Sequence, residues 1–206
     1  MKLAIFSSGR GSNARSIIEA VRQGSLNASI RILISNNSSS GIFLLSREFG
    51  IPAVHFSAKL FSSQQEYVQG LLELLEAHHV DFIALAGYMK MVPPELIARY
   101  RNRIVNIHPA LLPEFGGHGM FGMHVHEAVL AAKRKESGAT VHIVDEEYDR
   151  GPIVLQKRIP VNDGDTPETL AQRVLHIEHE IYPQALQLFA KNRIVLEGGI
   201  VNIRKE

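Results

Sequence analysis

The chain contains neither cysteine nor tryptophan. Without thiols there can be no disulfide, no iron–sulfur cluster, no thiolate zinc site and no cysteine nucleophile. Excess charge of one sign is also missing. Lys and Arg number 22 against 21 Asp and Glu, a formal net charge of +1, which speaks against a bulk nucleic-acid binder. The first apolar run, Leu3–Phe6, is too short for a secretory signal, and no stretch approaches the ~18–20 apolar residues of a membrane span. These absences predict a cytoplasmic protein with no membrane or nucleic-acid partner. What remains is globular: 206 residues, 45% hydrophobic and 21% charged, enough to bury a full core in one domain.

Short apolar runs alternate with helical patterns. Leu3–Phe6, Ile30–Ile34, Pro52–Phe56, Phe82–Ala86 and Ile104–Ile107 read as strands. Between them, residues 14–21, 41–49, 64–79 and 95–100 carry helical spacing, with Gly50 as a stop signal and Pro93–Pro94 as a start signal. Residues 1–105 thus read as repeated β-α units. The expected fold class is α/β: a mostly parallel twisted sheet flanked by helices. Further on, Ala139–Val144 and Ile153–Val161 read as paired strands. Pro167–Lys191 reads as a long helix that Pro183 should kink or divide, and the residues around Leu196–Ile200 as an antiparallel terminal hairpin. One segment stands out as a loop, Pro113–Met123, with four glycines, and a loop of that composition is more often functional than inert.

Ser8-Gly-Arg-Gly-Ser-Asn-Ala14 follows the first strand and opens a helix. Main-chain N–H groups at a helix start form an anion site, and glycine lets the chain approach a phosphate closely. The spacing also fits a relaxed dinucleotide fingerprint, but the second strand ends in Asn36-Asn37, without the acid that would bind a ribose hydroxyl. No Gly-Lys-Ser/Thr follows either, so a phosphate monoester fits better than a dinucleotide or a nucleoside triphosphate.

Val105-Asn-Ile-His-Pro109 ends the fifth strand, where ligands of open parallel sheets bind. Period-two alternation puts Asn106 and His108 on one side. An amide can steady a developing oxyanion, and an imidazole can move a proton near neutral pH. A carboxylate partner for the histidine is available in Asp145, Glu146, Glu147 or Asp149, and spacing alone does not choose among them. His124 and His126 could offer two metal ligands and His118 or His142 a third, but loop and helix-face histidines are the plainer reading, and His176-Ile-Glu-His179 matches no zinc-protease pattern, so metal ligation is disfavoured.

Taken in order, these pieces resemble the phosphoribosylglycinamide formyltransferase family across nearly the whole chain. The resemblance rests on Ser8-Gly-Arg-Gly-Ser-Asn13, Leu85-Ala-Gly-Tyr-Met89, Asn106-Ile-His-Pro-Ala-Leu-Leu-Pro113, Gly138-Ala-Thr-Val-His-Ile-Val-Asp145, Asp149-Arg-Gly-Pro152 and Glu178-His-Glu-Ile-Tyr-Pro183. It implies a Rossmann-like formyltransferase fold forming one domain, 1–206. Residues 1–105 would be the phosphate-binding half and 106–206 the folate-binding and catalytic half. The implied reaction moves a formyl group from 10-formyltetrahydrofolate to the amine of glycinamide ribonucleotide, without a metal, in a monomer or homodimer. By the same resemblance the catalytic trio is Asn106, His108 and Asp149. Gly11, Ser12, Asn13 and Glu178 would bind the ribonucleotide. Met89, Lys90, Met91, Val92, Ile97 and the segment Ile143, Val144, Asp145, Glu146, Glu147, Tyr148 would line the folate pocket.

From this resemblance the mechanism would have Asn106 and a protonated His108 donate to the oxyanion, with the Asp149 carboxylate raising the His108 pKa. The chain also departs from the family pattern. Glu114–His126 is longer, Gln64 and Lys90 stand where arginine is frequent beside the folate, and Leu175 replaces a polar residue. Lysine lacks arginine's bidentate fork, so the folate tail would be held differently.

Overall fold

A computed structural model describes residues 1–205. The chain forms two compact units that divide between Val105 and Asn106. Seven strands form one sheet in the order β3-β2-β1-β4-β5-β6-β7, and a separate two-stranded sheet lies at the C-terminal end. This is the mostly parallel α/β architecture expected, with the expected antiparallel extension.

The first unit holds β1 (Lys2–Phe6), β2 (Ser29–Ser35), β3 (Ala53–His55) and β4 (Phe82–Leu85), with α1 (Ser12–Arg22), α2 (Ile42–Phe49), α3 (Gln64–Ala77) and α4 (Pro94–Arg99) between them. β1 pairs in parallel with both β2 and β4. Leu3, Ala4, Ile5 and Phe6 are all buried, which is why β1 reads as a continuous apolar run rather than an alternating one. α1 turns Ala14, Ile17 and Ile18 inward. Gly50 ends α2 in the left-handed conformation at φ 66°, as its position after the last apolar residue predicted. Strand order reverses between β1 and β4, so the chain leaves these neighbouring strands in opposite directions and opens a crevice at their carboxyl ends.

β5 (Ile104–His108) crosses from one unit into the next. The second unit continues with α5 (Met123–Ala131), β6 (Glu136–Ile143), β7 (Ile153–Pro160), α6 (Pro167–Ala190), β8 (Ile194–Glu197) and β9 (Ile200–Ile203). β6 and β7 pair antiparallel, as do β8 and β9. α6 starts on a capping box made by Thr166 and Thr169 and runs 24 residues without division at Pro183. Burial of Ile177, Ile181 and Tyr182 before the proline, and of Ala185 and Leu186 after it, holds the helix through the hydrogen bond that proline cannot donate. α5 is an element that the sequence pattern did not predict. Its inward stripe is only Val125, His126 and Val129, directly after a glycine-rich run. Among the described residues no helix is long and apolar enough to cross a membrane.

One side-chain knot fixes the segment that follows β5. Thr140 Oγ1 donates to the Ala110 carbonyl at 2.6 Å and accepts from Leu112 N at 3.2 Å and Gln156 Nε2 at 2.9 Å. Gln156 Nε2 also donates to the Leu112 carbonyl at 3.0 Å. Thr140 is wholly buried, so each lost bond strands a group away from water. Thr140→Val, which keeps the shape and removes the hydroxyl, should destabilise the protein by about 2–3 kcal/mol. In urea titrations the midpoint should fall with little change in slope; an unchanged midpoint would mean that the knot contributes nothing.

Candidate active site

In the first unit the loop after β1 enters α1 through Gly11, whose φ of 81° suits glycine alone, and no side chain caps the helix. The N–H groups of the first turn therefore have no acceptor from a capping side chain, the arrangement that binds anions. Gly11 and Asn13 are buried and Ser12 half-buried. The loop is clamped from α2: Ser40 Oγ donates to the Gly9 carbonyl at 2.9 Å and Gly41 N donates to it at 3.0 Å. Gly41 lies so close to the Arg10 carbonyl that no Cβ fits.

Ser8 joins three segments. Its hydroxyl donates to Asn36 Oδ1 at 2.5 Å and accepts from Met89 N at 2.8 Å, and its own N–H donates to the Gly87 carbonyl at 2.9 Å. Asn37 Nδ2 donates to the Ser8 carbonyl at 3.1 Å. The asparagine pair that ends β2 thus braces the loop, in the place where a dinucleotide enzyme would present an acid to a ribose. The same hub positions Met89 and Met91, which are about half exposed, ahead of buried Val92. Lys90 is exposed, Ile97 is half-buried on α4, and Gln64 is exposed at the start of α3.

In the second unit Asn106, His108, His142 and Asp149 converge. His108 is buried at the end of β5, with Nδ1 3.6 Å from Asp149 Oδ2 and Nε2 2.7 Å from the Phe115 carbonyl. The second carboxylate oxygen, Oδ1, lies 3.4 Å from His142 Nε2. Asn106 Nδ2 is 3.2 Å from that same Nε2, while His142 Nδ1 donates to the Ile143 carbonyl at 3.0 Å. Asp149 Oδ2 also accepts from Gly117 N at 2.9 Å. Asp149 takes a left-handed φ of 55°, and Gly151 packs against the Ile143 carbonyl so closely that a side chain has no room.

Residues 1–186 match the family described as formyl transferase. The chain belongs to the formyl transferase family. Phosphoribosylglycinamide formyltransferase of Bacillus subtilis (strain 168) is 37% identical over 186 residues, which cover 90% of this chain and 93% of that protein. The chloroplastic phosphoribosylglycinamide formyltransferase of Vigna unguiculata is 45% identical over 94% of this chain, and the chain spans 62% of that relative's length. Among solved structures, glycinamide ribonucleotide transformylase 1 from Symbiobacterium toebii superimposes with a TM-score of 0.93 at 36% identity, covering 100% of this chain and 94% of that one.

Electrostatics in this formyl transferase depart from one expectation. Burial pushes the His108 imidazole below its ordinary 6.5, and His142 acts in the same direction. The raising effects of the Asp149 carboxylate and the Phe115 carbonyl do not compensate. Asp149 does raise the His108 pKa as expected, but desolvation outweighs it, so the ring is neutral at pH 7 rather than a standing cation. For Asp149 itself, burial pushes the carboxyl up. The contact with His142, the nearby His108 and the Gly117 N–H together outweigh that and hold it below 3.8.

The structure therefore brings Asn106, His108 and Asp149 together, and selects Asp149 from the acidic cluster. Asp145 is half-buried, and Glu146, Glu147 and Tyr148 are exposed; Ile143 is buried and Val144 half-buried. Glu178 is buried on α6. His142 joins the site although the sequence offered it only as a metal-ligand candidate; its place on a strand two residues after Thr140 was the available hint. Phe115 and Gly117 enter through main-chain atoms, which no residue type reveals. Among the described residues no group of three or more His, Asp or Glu side chains could hold a metal ion.

A further buried side chain, His126 on α5, has no hydrogen-bond partner for Nδ1. Burial first, and the nearby His108 second, push its pKa down to about 4. Between pH 6.5 and about 4 the unfolded chain binds a proton that folded His126 does not. Stability is therefore fully present above 6.5 and falls as the pH drops through that window. The urea midpoint should be lower at pH 5 than at pH 7, and His126→Phe should shrink that difference. An equal difference in the variant would show that His126 is not held neutral.

Proposed function

We propose that this chain transfers the formyl group of 10-formyltetrahydrofolate to the amine of N1-(5-phospho-D-ribosyl)glycinamide, a step of de novo purine synthesis. The observation that carries the reading is the Asn106–His108–Asp149 cluster, with His108 buried between half-buried partners, in a chain whose relatives are named for this reaction. The substrate phosphate sits on the uncapped start of α1, with Gly11, Ser12 and Asn13 as donors. Glu178 binds the ribonucleotide as its counterpart does in the family. The segments Met89–Val92 with Ile97 and Ile143–Tyr148 line the folate pocket, with Gln64 and Lys90 near the folate tail.

The chemistry follows from the protonation states. The substrate amine attacks the formyl carbon, whose carbonyl electrons move onto oxygen. Asn106 keeps one amide N–H on His142 and turns the other toward that oxyanion. Neutral His108 accepts the proton that the attacking nitrogen must lose. The Asp149 carboxylate stabilises the imidazolium that forms. The proton then goes to the folate nitrogen as the carbon–nitrogen bond breaks and tetrahydrofolate leaves. No step uses a metal.

The test follows the absorbance change as 10-formyltetrahydrofolate, or its dideaza analogue, loses its formyl group. It is run with glycinamide ribonucleotide, with amino sugar nucleotides and with no amine. Turnover should require glycinamide ribonucleotide and should fall about a thousandfold in His108→Ala. Formyl loss without an amine would instead make the chain a hydrolase, and turnover only with another amine would sink the purine assignment.

A further inference from the structure

The glycine-rich segment after Pro113 is more than a surface loop. Residues 115–117 grip the proton-transfer pair with main-chain atoms alone. The Phe115 carbonyl lies 2.7 Å from His108 Nε2, and Gly117 N donates to Asp149 Oδ2 at 2.9 Å. Between them Gly116 packs into a space without room for a side chain. A Cβ there would stand 2.5 Å from Leu112 Cδ2 and 3.0 Å from Asp149 Cβ. The backbone is strained to make this fit. Phe115 takes a left-handed φ of 55°, costly for an aromatic residue, while Gly117 takes a φ of 98° that glycine reaches freely. Strain of this kind persists only where the surroundings impose it, and it clusters at functional sites.

A carbonyl only accepts, so its contact with His108 places a hydrogen on Nε2 in every protonation state. The neutral ring then carries its lone pair on Nδ1. Asp149 Oδ2 stands 3.6 Å from Nδ1, beyond hydrogen-bond reach, which leaves that nitrogen open to a substrate proton while the carboxylate still acts on its charge.

We propose that the turn 115–117 is the positioning element of the catalytic pair: the Phe115 carbonyl fixes the Nε2–H tautomer of His108, the Gly117 N–H fixes Asp149, and Nδ1 is thereby the atom that takes and returns the proton. The catalytic consequence rests on the formyl-transfer reading above; the tautomer does not. In that reaction the Nδ1 lone pair binds the proton released by the attacking amine and gives an imidazolium beside Asp149. The same proton passes to the folate nitrogen, which takes the electrons of the breaking carbon–nitrogen bond, and Nδ1 recovers its lone pair.

The experiment labels the histidine rings with nitrogen-15 and reads long-range proton–nitrogen correlations above pH 7, with the His108 signals assigned by their loss in His108→Ala. Wild type should show His108 as the Nε2–H tautomer; an Nδ1–H ring overturns the proposal without any variant. Gly116→Ala should mix the tautomers, shift the acid limb of the kcat profile and lower kcat more than tenfold, with KM changed less than about threefold. Should that variant fail to fold, Gly116→Ala with Leu112→Ala removes the nearer clash, and the same readouts apply. A substituted turn that leaves tautomer, pH profile and kcat as in wild type overturns the proposal. An Nε2–H ring that responds to Gly116→Ala in a protein without formyl transfer would leave the positioning role standing and sink the functional reading instead.

Discussion

A carboxylate taken out of water stays charged only where donors replace the water it has lost, and Asp149 is the point at which this chain meets that demand. Its partners come from separate stretches of the second unit: Gly117 N, which donates to it from the loop after β5, with His108 at the end of β5 and His142 at the end of β6 close beside it. Satisfying one buried charge therefore draws together the strand end, the glycine-rich loop and the neighbouring strand. The opposite effect governs His108, where burial outweighs the attraction of the same carboxylate and keeps the ring neutral. A neutral base beside a fixed negative charge is ready to accept a proton and to stabilise the cation it becomes.

The first unit solves a different problem by simpler means. At the entry to α1 it leaves N–H groups without a capping side chain, held in a fixed direction by Gly11 and by the brace from Ser40 and Gly41. The reversal of strand order between β1 and β4 supplies the crevice, and Ser8 ties its two walls together. Each unit thus presents its functional groups where strands end, the place at which an α/β sheet leaves main-chain groups unpaired.

Much of this was legible from residues. The apolar runs of β1 and β4, the stop at Gly50 and the alternation of Asn106 with His108 each follow from local physics. So does the glycine-led entry into α1. The acidic cluster was readable as a group but not by member, because choosing Asp149 needs the fold of the loop rather than its composition. Pro183 does not divide its helix because burial of Ile181, Tyr182, Ala185 and Leu186 on either side of it outweighs the local rule. α5 was hidden because one position of its inward face is a histidine. The sign of the His108 shift was missed because a sequence shows the partner carboxylate but not the depth of burial.

The grip of the 115–117 turn has a bearing on mutational tolerance. Phe115 contributes its carbonyl, so position 115 can accept another side chain provided that residue also reaches a left-handed backbone, which asparagine and glycine do most readily. Position 116 is closed on both sides, by Leu112 and by Asp149, and accepts glycine alone. Variation among natural or laboratory variants would then be permissive at the residue that makes the contact and forbidding at the residue that makes none.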